Sequence, residues 1–494
     1  MRAGAFQVKT LLPLFIAAWS VCPALESGEA AAPVKVDYTV SVEDLSRGRL
    51  HVAMRVAGCR PGTLLLHGVP FYAENPTPQA TGDIVSHLRV GTLSARALQF
   101  DTTRDAKGQP VYCVYRVQGD IKIEYDLLVR FQESSQTRQY AILLPFMDSE
   151  RAWLYGNCIF LHPELPAVAG RCWSQPMEIT VRFEAPFGIP LVGVPAESIS
   201  FTNLYQLLSL QFGFGKYVSE PGEAAGVRFD LLYRSPDEFS EAERAALRRT
   251  TSNLVRSAVR LFGGAPFNRF GFLFLRREGD SFAGLEGPTS CQAAVAKGLD
   301  ISDPSGPPAN YFYSLIAHEF IHSWNPVSFF AAEDPWIKEG LTEYYGNVFG
   351  ARLGYYSEGD VEGFFNRYYR LLDENPLINQ VALTDSRLRD ESYTGENWRT
   401  VTYERGQAVA LLLDVLIREK TQNRRSLDDV MRGLFQAFRG RTFSHRQFLE
   451  TVRKETEVDP TEFFAAFVEG KEAPPEILVR EKLRKARKLG VFDQ

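Results

Sequence analysis

The chain has 494 residues, of which 45% are hydrophobic, 12% aromatic and 23% charged, with 35 Phe and 20 Tyr. That length implies two or three domains, and that composition supplies large cores, which excludes a disordered, collagenous or multi-span membrane protein. Lys plus Arg number 55 against 60 Asp plus Glu, a net charge of -5, and no basic block precedes the last helical segment, so nucleic acid is not an expected partner.

Arg2 and Lys9 precede or border an uncharged apolar run from Leu11 to Val21, and small residues follow at Ala24, Ala30, Ala31 and Ala32. A run this short falls below the roughly 20 apolar residues of a membrane-spanning helix and reads as an export signal. Residues 1–24 are expected to be a signal peptide, the chain to have no transmembrane span, and its place to be secreted or periplasmic. Val21 argues against lipid anchoring at Cys22. In an oxidising compartment Cys158 with Cys172, then Cys59 with Cys113, are the nearest candidates for bridges; spacing alone leaves the connectivity open.

From residue 33 to 225 apolar and polar residues alternate in short runs such as KVDYTVSVEDL, IKIEYDLLVRF and MEITVRFEAP, broken by Gly, Pro and Asp. This predicts an antiparallel, sandwich-like β domain serving as scaffold. His51, His67, His87 and His162 lie in it without ligand spacing. Residues 226–350 mix types. Ser240 with Glu243 forms a capping box opening a helix that Gly263 ends, and FGFLFLRR at 270–277 reads as a fully apolar strand. Residues 351–494 read as a helical domain, interrupted by a long polar loop from Asn375 to Thr400 of the kind that serves as a lid. Its last helix carries Arg480, Lys482, Arg484, Lys485, Arg487 and Lys488, a solvated face or, less simply, a membrane-surface one.

The segment ANYFYSLIAHEFIHSWNP carries the chemistry. His318 and His322 are four apart, so a helix sets both imidazoles on one face, two corners of a tetrahedral Zn²⁺ site. Glu319 sits beside the first ligand and can reach a water at such a metal, completing H-E-x-x-H. In DPWIKEGLTEYYGNVFG, Glu339 is placed to close the site as third ligand. Glu343, one turn on, has two readings: acceptor for the free N–H of a ligand histidine, or a solvated helix residue. One Zn²⁺ per chain and a peptide substrate are expected. No G-x-S-x-G nucleophile motif occurs.

H-E-x-x-H followed by W-x-x-E-G-x-T-x-Y-Y resembles the gluzincin metallopeptidases. HEFIHSWNP, WIKEGLTEYY, YERGQAVALLLDVLIRE and SLDDVMRGL together look most like the glycyl aminopeptidase family. The resemblance implies a multidomain α+β architecture: a β-rich N-terminal domain, a thermolysin-like catalytic domain and a C-terminal helical domain. It also implies an aminopeptidase that removes small N-terminal residues, Gly or Ala, with Glu319 as general base. Tyr403 in TYERG matches the tyrosine that donates to the tetrahedral oxyanion in that superfamily, and Gly284 and Glu286 in AGLEGPTS resemble the strand along which substrate lies, its Glu holding the α-amino group. Two departures stand out: Gly287 where that family usually has His, and a gap from His322 to Glu339 closer to the aminopeptidase N group. An endopeptidase, or a catalytically idle binding protein on the same fold, is the alternative.

Overall fold

The computed structural model describes residues 34–42, 45–59, 61–68, 85–104, 110–129, 145–163, 177–186, 188–278, 282–331, 334–388 and 395–493. The expected signal peptide, with Cys22, lies outside them, as does Cys172.

The period-two alternation of the N-terminal region resolves into three sheets. The largest runs in the order Ser198–Phe201, Met177–Glu184, Val34–Val42, Arg49–Ala57, Ile121–Leu128, Val85–Thr92. Its pairings are antiparallel except that Val34–Val42 lies parallel to Met177–Glu184. Tyr38, Val40, Val52, Met54, Ile123 and Tyr125 are buried, and alternate residues on the same strands are not. One wet face and one dry face is what the alternation encodes. Of the candidate bridges, Cys59–Cys113 is not formed, and Cys158–Cys172 lies outside the described residues because Cys172 does. Cys59, Cys113, Cys158 and Cys291 are free thiols, and Cys113 sits mid-strand in the Pro110–Val117 strand, in a different sheet from the Arg49–Ala57 strand that Cys59 follows.

A five-stranded sheet follows, in the order Val218–Ala224, Val227–Tyr233, Arg269–Arg277, Ser290–Ala296, Ala283–Leu285. Its inner strands are parallel and its edge strand, Ala283–Leu285, is antiparallel to Ser290–Ala296. Phe229, Phe272, Phe274 and Val295 on one face join the core shared with the helices. Leu232, Leu273, Leu275 and Ala294 on the other join the core of the β region. Both faces are dry, which is why FGFLFLRR shows no alternation. The helix-side core runs from Ala224 to Val491, so sheet-bearing and C-terminal helical segments pack on common apolar surface.

Some of the helices open on a capping box. Ser240 and Glu243 form the expected capping box of Glu241–Phe262, which ends at Gly263 with φ 74°. Ser444 with Gln447 does the same for His445–Thr456. The Asn375–Thr400 stretch departs from the expected open loop. Ile378, Val381, Leu383 and Leu388 are buried and Glu396–Thr400 is helical, while 389–394 lie outside the described residues. Its apolar residues are spaced without period because they enter the core from successive turns. The basic face of Glu476–Lys488 is partly turned inward: Lys482 and Lys485 both pair with Glu419, and Arg487 with Glu362.

One buried cation holds these turns. Arg405, fully buried, donates from Nη1 to the carbonyls of Ile378 (3.1 Å), Val381 (2.6 Å) and Lys471 (2.9 Å). Its Nη2 donates to Phe467 (3.1 Å), Gly470 (2.8 Å) and Glu472 (3.2 Å). Burial pulls its pKa down to about 10, yet it stays charged at neutral pH. A planar fork meets this crowd of carbonyls; an ammonium, with three donors, does not. Arg405→Lys and Arg405→Met should therefore each lower the unfolding free energy by at least about 3 kcal/mol, measured by denaturant titration. Stabilities equal to wild type would remove Arg405 from this role.

Candidate metal centre and active site

Two helices and one short strand build the site. Ala309–Ile321 presents His318 and Glu319 from its last turn, with His322 at its C-cap in αR conformation, so the four-residue spacing keeps its geometry. Pro335–Arg352 starts with Pro at its first position, where the missing N–H costs nothing, and carries Glu339 and Glu343. Asn325 ties the two helices together: its Nδ2 donates to Ile337 O (2.6 Å) and Thr342 Oγ1 (3.1 Å), and its carbonyl lies 2.8 Å from His322 Nδ1.

The predicted ligands converge. His318 Nε2 and His322 Nε2 are 3.0 Å apart, and Glu339 Oε2 lies 3.7 Å from the first and 3.4 Å from the second. His318 Nδ1 faces Glu343 Oε2 at 3.0 Å, a charge contact without the alignment of a hydrogen bond, so Glu343 stands beside the histidine at the rim of the site. The Asn325 carbonyl at the Nδ1 of His322 and the Glu343 carboxylate beside that of His318 leave both Nε2 atoms facing the same point. His318, Glu319, His322 and Glu339 are all buried. Burial alone would lower the His318 pKa, but Glu339, Glu343 and Glu319 outweigh it and hold the imidazole well above its ordinary value. Burial raises Glu319, assisted by Glu286 and Glu339, to about 8. The pocket is short of positive charge.

The edge strand Ala283–Leu285 passes over Glu319 so closely that a Cβ at Gly284 would collide with the Glu319 side chain. Glu286, buried, approaches Glu319 and His322: one ligand-type atom of each lies within 4.8 Å of the others. Tyr205, from the short helix Leu204–Leu208, donates to Glu286 Oε1 (2.7 Å), and Gln211 Nε2 donates to the carbonyls of Leu285 (2.8 Å) and Glu286 (2.7 Å). Gly287 does not open the site. Its α-carbon is pressed against the backbone, and a Cβ there would come 2.6 Å from Ser290 O and 2.7 Å from Ser209 O.

Tyr403 lies in a π-helical turn, Val401–Arg405, at the head of Gly406–Lys420. Its ring lies nearly parallel to that of His318, 8° between planes with centroids 6.3 Å apart, and the Arg399 guanidinium covers it at 5.0 Å. The turn reaches the site because Gly340 and Gly406 meet α-carbon to α-carbon, with no room for a Cβ on either. The structure thus brings together His318, Glu319, His322, Glu339, Glu343, Gly284, Glu286 and Tyr403. Sequence reasoning missed Lys338, Tyr205 and Asn325. Lys338 had no signal beyond its place immediately before a ligand. Tyr205 had none.

Residues 301–467 match the peptidase family M1 domain. No curated protein matches the chain in sequence. Among solved structures, an aminopeptidase N family protein from Idiomarina loihiensis aligns at TM-score 0.64 and 16% identity over 90% of this chain and 78% of its own. The M1 zinc metallopeptidase from Deinococcus radiodurans aligns at 0.57 and 16%, over 90% and 94%. Native yeast LTA4 hydrolase aligns at 0.58 and 14%, over 90% and 69%. At such identities the likeness is one of fold: β-rich N-terminal region, sheet-and-helix centre, helical C-terminal region. The stretch that matches the peptidase family M1 domain, residues 301–467, is the one that carries both helices of the site and the Tyr403 turn.

Proposed function

We propose that the chain is a zinc-dependent metallopeptidase. The observation that carries the reading is the meeting of His318 Nε2, His322 Nε2 and Glu339 Oε2 at separations of 3.0 to 3.7 Å. Atoms about 2.0–2.1 Å from a tetrahedral Zn²⁺ lie roughly 3.3 Å from one another, so the set fits. Two facing nitrogen lone pairs in a pocket of carboxylates also repel unless a cation or proton lies between them. Zn²⁺ held there lowers the pKa of a water and polarises a carbonyl oxygen.

The remaining chemistry belongs to this chain's residues. With a dication beside it to offset the burial that raises its pKa, Glu319 would be the carboxylate that takes the proton of the attacking water and returns it to the leaving amine. Tyr403 donates its hydroxyl hydrogen to the oxygen that gains charge; a phenol with a pKa near 10 keeps that hydrogen at neutral pH. The strand at Gly284 provides an edge along which an extended peptide lies, and Glu286 faces its amino-terminal end. On the resemblance to glycyl aminopeptidases, the substrates are peptides with Gly or Ala first. The N-terminal sequence supports a secreted or periplasmic place of action. A second reading, hydrolysis away from a free N-terminus, is favoured by one contact: Lys338 Nζ lies 3.0 Å from Glu286.

Metal analysis should find one zinc per chain, and a chelator should abolish hydrolysis of aminoacyl substrates; protein free of zinc after loading would overturn the proposal. Glu319→Gln should keep zinc and lose about 10²–10⁴ in turnover. Tyr403→Phe should cost about 10²–10³ in kcat, and an unchanged rate would take Tyr403 out of the mechanism. Gly284→Ala should retain zinc while losing on the order of 10² in kcat/KM, because the added methyl displaces Glu319.

A further inference from the structure

Lys338 directly precedes Glu339 and points into the site. Its ammonium lies 3.0 Å from Glu286 Oε1 and 2.9 Å from Glu339 Oε1, and 5.5 Å from the centre of the Tyr205 ring. Only 13% of the side chain is exposed. Burying a lysine this far is costly unless carboxylates compensate, and two do. Glu339 divides its oxygens: Oε1 faces Lys338, while Oε2 faces the two histidines. Glu286 Oε1 also accepts the Tyr205 hydroxyl, so the carboxylate expected to receive a substrate's amine already faces an ammonium and a phenol through that oxygen. A primary ammonium against a carboxylate and an aromatic face is what the α-amino end of a peptide would itself present.

We propose that Lys338 occupies the α-ammonium seat at Glu286, so that the site does not select for a free N-terminus and accepts peptides whose first nitrogen is neutral, acylated or internal to a longer chain. The inference rests on the peptidase reading and sets its substrate class. Two ammonium groups cannot share one desolvated carboxylate without mutual repulsion, and a free α-amine gains its ion pair only by evicting Lys338. A neutral amide makes no such demand. Lys338 is then a specificity-determining residue, and the Glu286–Lys338 pair a neutral floor to the site.

The test compares zinc-loaded wild type, Lys338→Gln, Lys338→Arg and the double variant Lys338→Gln/Glu286→Gln on L-alanine p-nitroanilide and its N-acetyl derivative. Wild type should show kcat/KM values for the two within about tenfold, and Lys338→Gln should raise the ratio of free over acetylated by about tenfold or more, the scale of one charge-assisted hydrogen bond. Lys338→Arg should keep the wild-type ratio, and the double variant should lose the gain. A wild type that prefers the free amine more than about a hundredfold, with the ratio unmoved by Lys338→Gln, would overturn the proposal. Loss of zinc from Lys338→Gln would overturn it too, placing Lys338 in support of Glu339 instead. Calorimetric binding of L-alaninamide to zinc-loaded Glu319→Gln, with and without Lys338→Gln, decides the seat without turnover: about tenfold tighter binding supports it, equal binding refutes it. Should no protein hydrolyse either anilide, the peptidase reading fails, and this binding arm still decides the role of Lys338.

Discussion

The centre of this molecule is an electrostatic demand. Glu286, Glu319 and Glu339 are buried within a few ångströms of His318 and His322, with Glu343 at the rim, and Lys338 contacts the cluster through Glu286 and Glu339. Desolvated like charges repel strongly, so the arrangement is stable only with more positive charge than Lys338 brings. The high pKa of His318 expresses that shortage as an appetite for a proton. A divalent ion answers it better, and both Nε2 atoms face the point it would occupy, His322 fixed from Nδ1 by the Asn325 carbonyl and His318 with the Glu343 carboxylate beside its own Nδ1.

That centre is held by parts with no chemistry of their own. The Tyr403 turn is fixed on one side by the contact of Gly340 with Gly406 and on the other by Arg405, whose guanidinium gathers carbonyls from two turns distant in sequence. A π-helical turn displaces its residues from the regular helical register. Here the displaced residue is Tyr403, brought alongside His318, while Arg405, two residues on, is sunk into the core. The turn that aims the phenol and the cation that staples the C-terminal region are therefore one local structure, and disturbing either disturbs both.

How much of this the sequence discloses depends on how local each cause is. His318, Glu319 and His322 are legible because four residues of helix decide their geometry. The helices at 241–262 and 445–456 are legible because a capping box is a three-residue event. Tyr403 and Glu286 become legible only through family resemblance, since spacing gives no hint that a π turn and a sheet edge will meet the first two ligands. The 375–400 stretch misleads: its irregular apolar spacing reads as a loop, and its order comes from Arg405 and from the core that receives Ile378 and Leu383. Lys338 escapes for a related reason, because lysines are ordinarily solvated and only tertiary structure reveals that this one is closed in by Glu286 and Tyr205.

The N-terminal β region, expected as scaffold, acquires a different standing from those same contacts. Tyr205 reaches Glu286 through its hydroxyl and the Lys338 cation through its ring, and Gln211 grips the carbonyls of Leu285 and Glu286. Gly287 is closed in by the carbonyl of Ser209. The floor on which the first residue of a substrate would rest is thus shaped by residues 205–211 as much as by the metal-binding helices. The residues that would act at the bond to be broken come from a short helical motif whose geometry four residues of helix decide. The amino-terminal end of the site is built across the seam between two cores, where Tyr205 and Gln211 from the β region meet Glu286 and Lys338 beside the metal-binding helices.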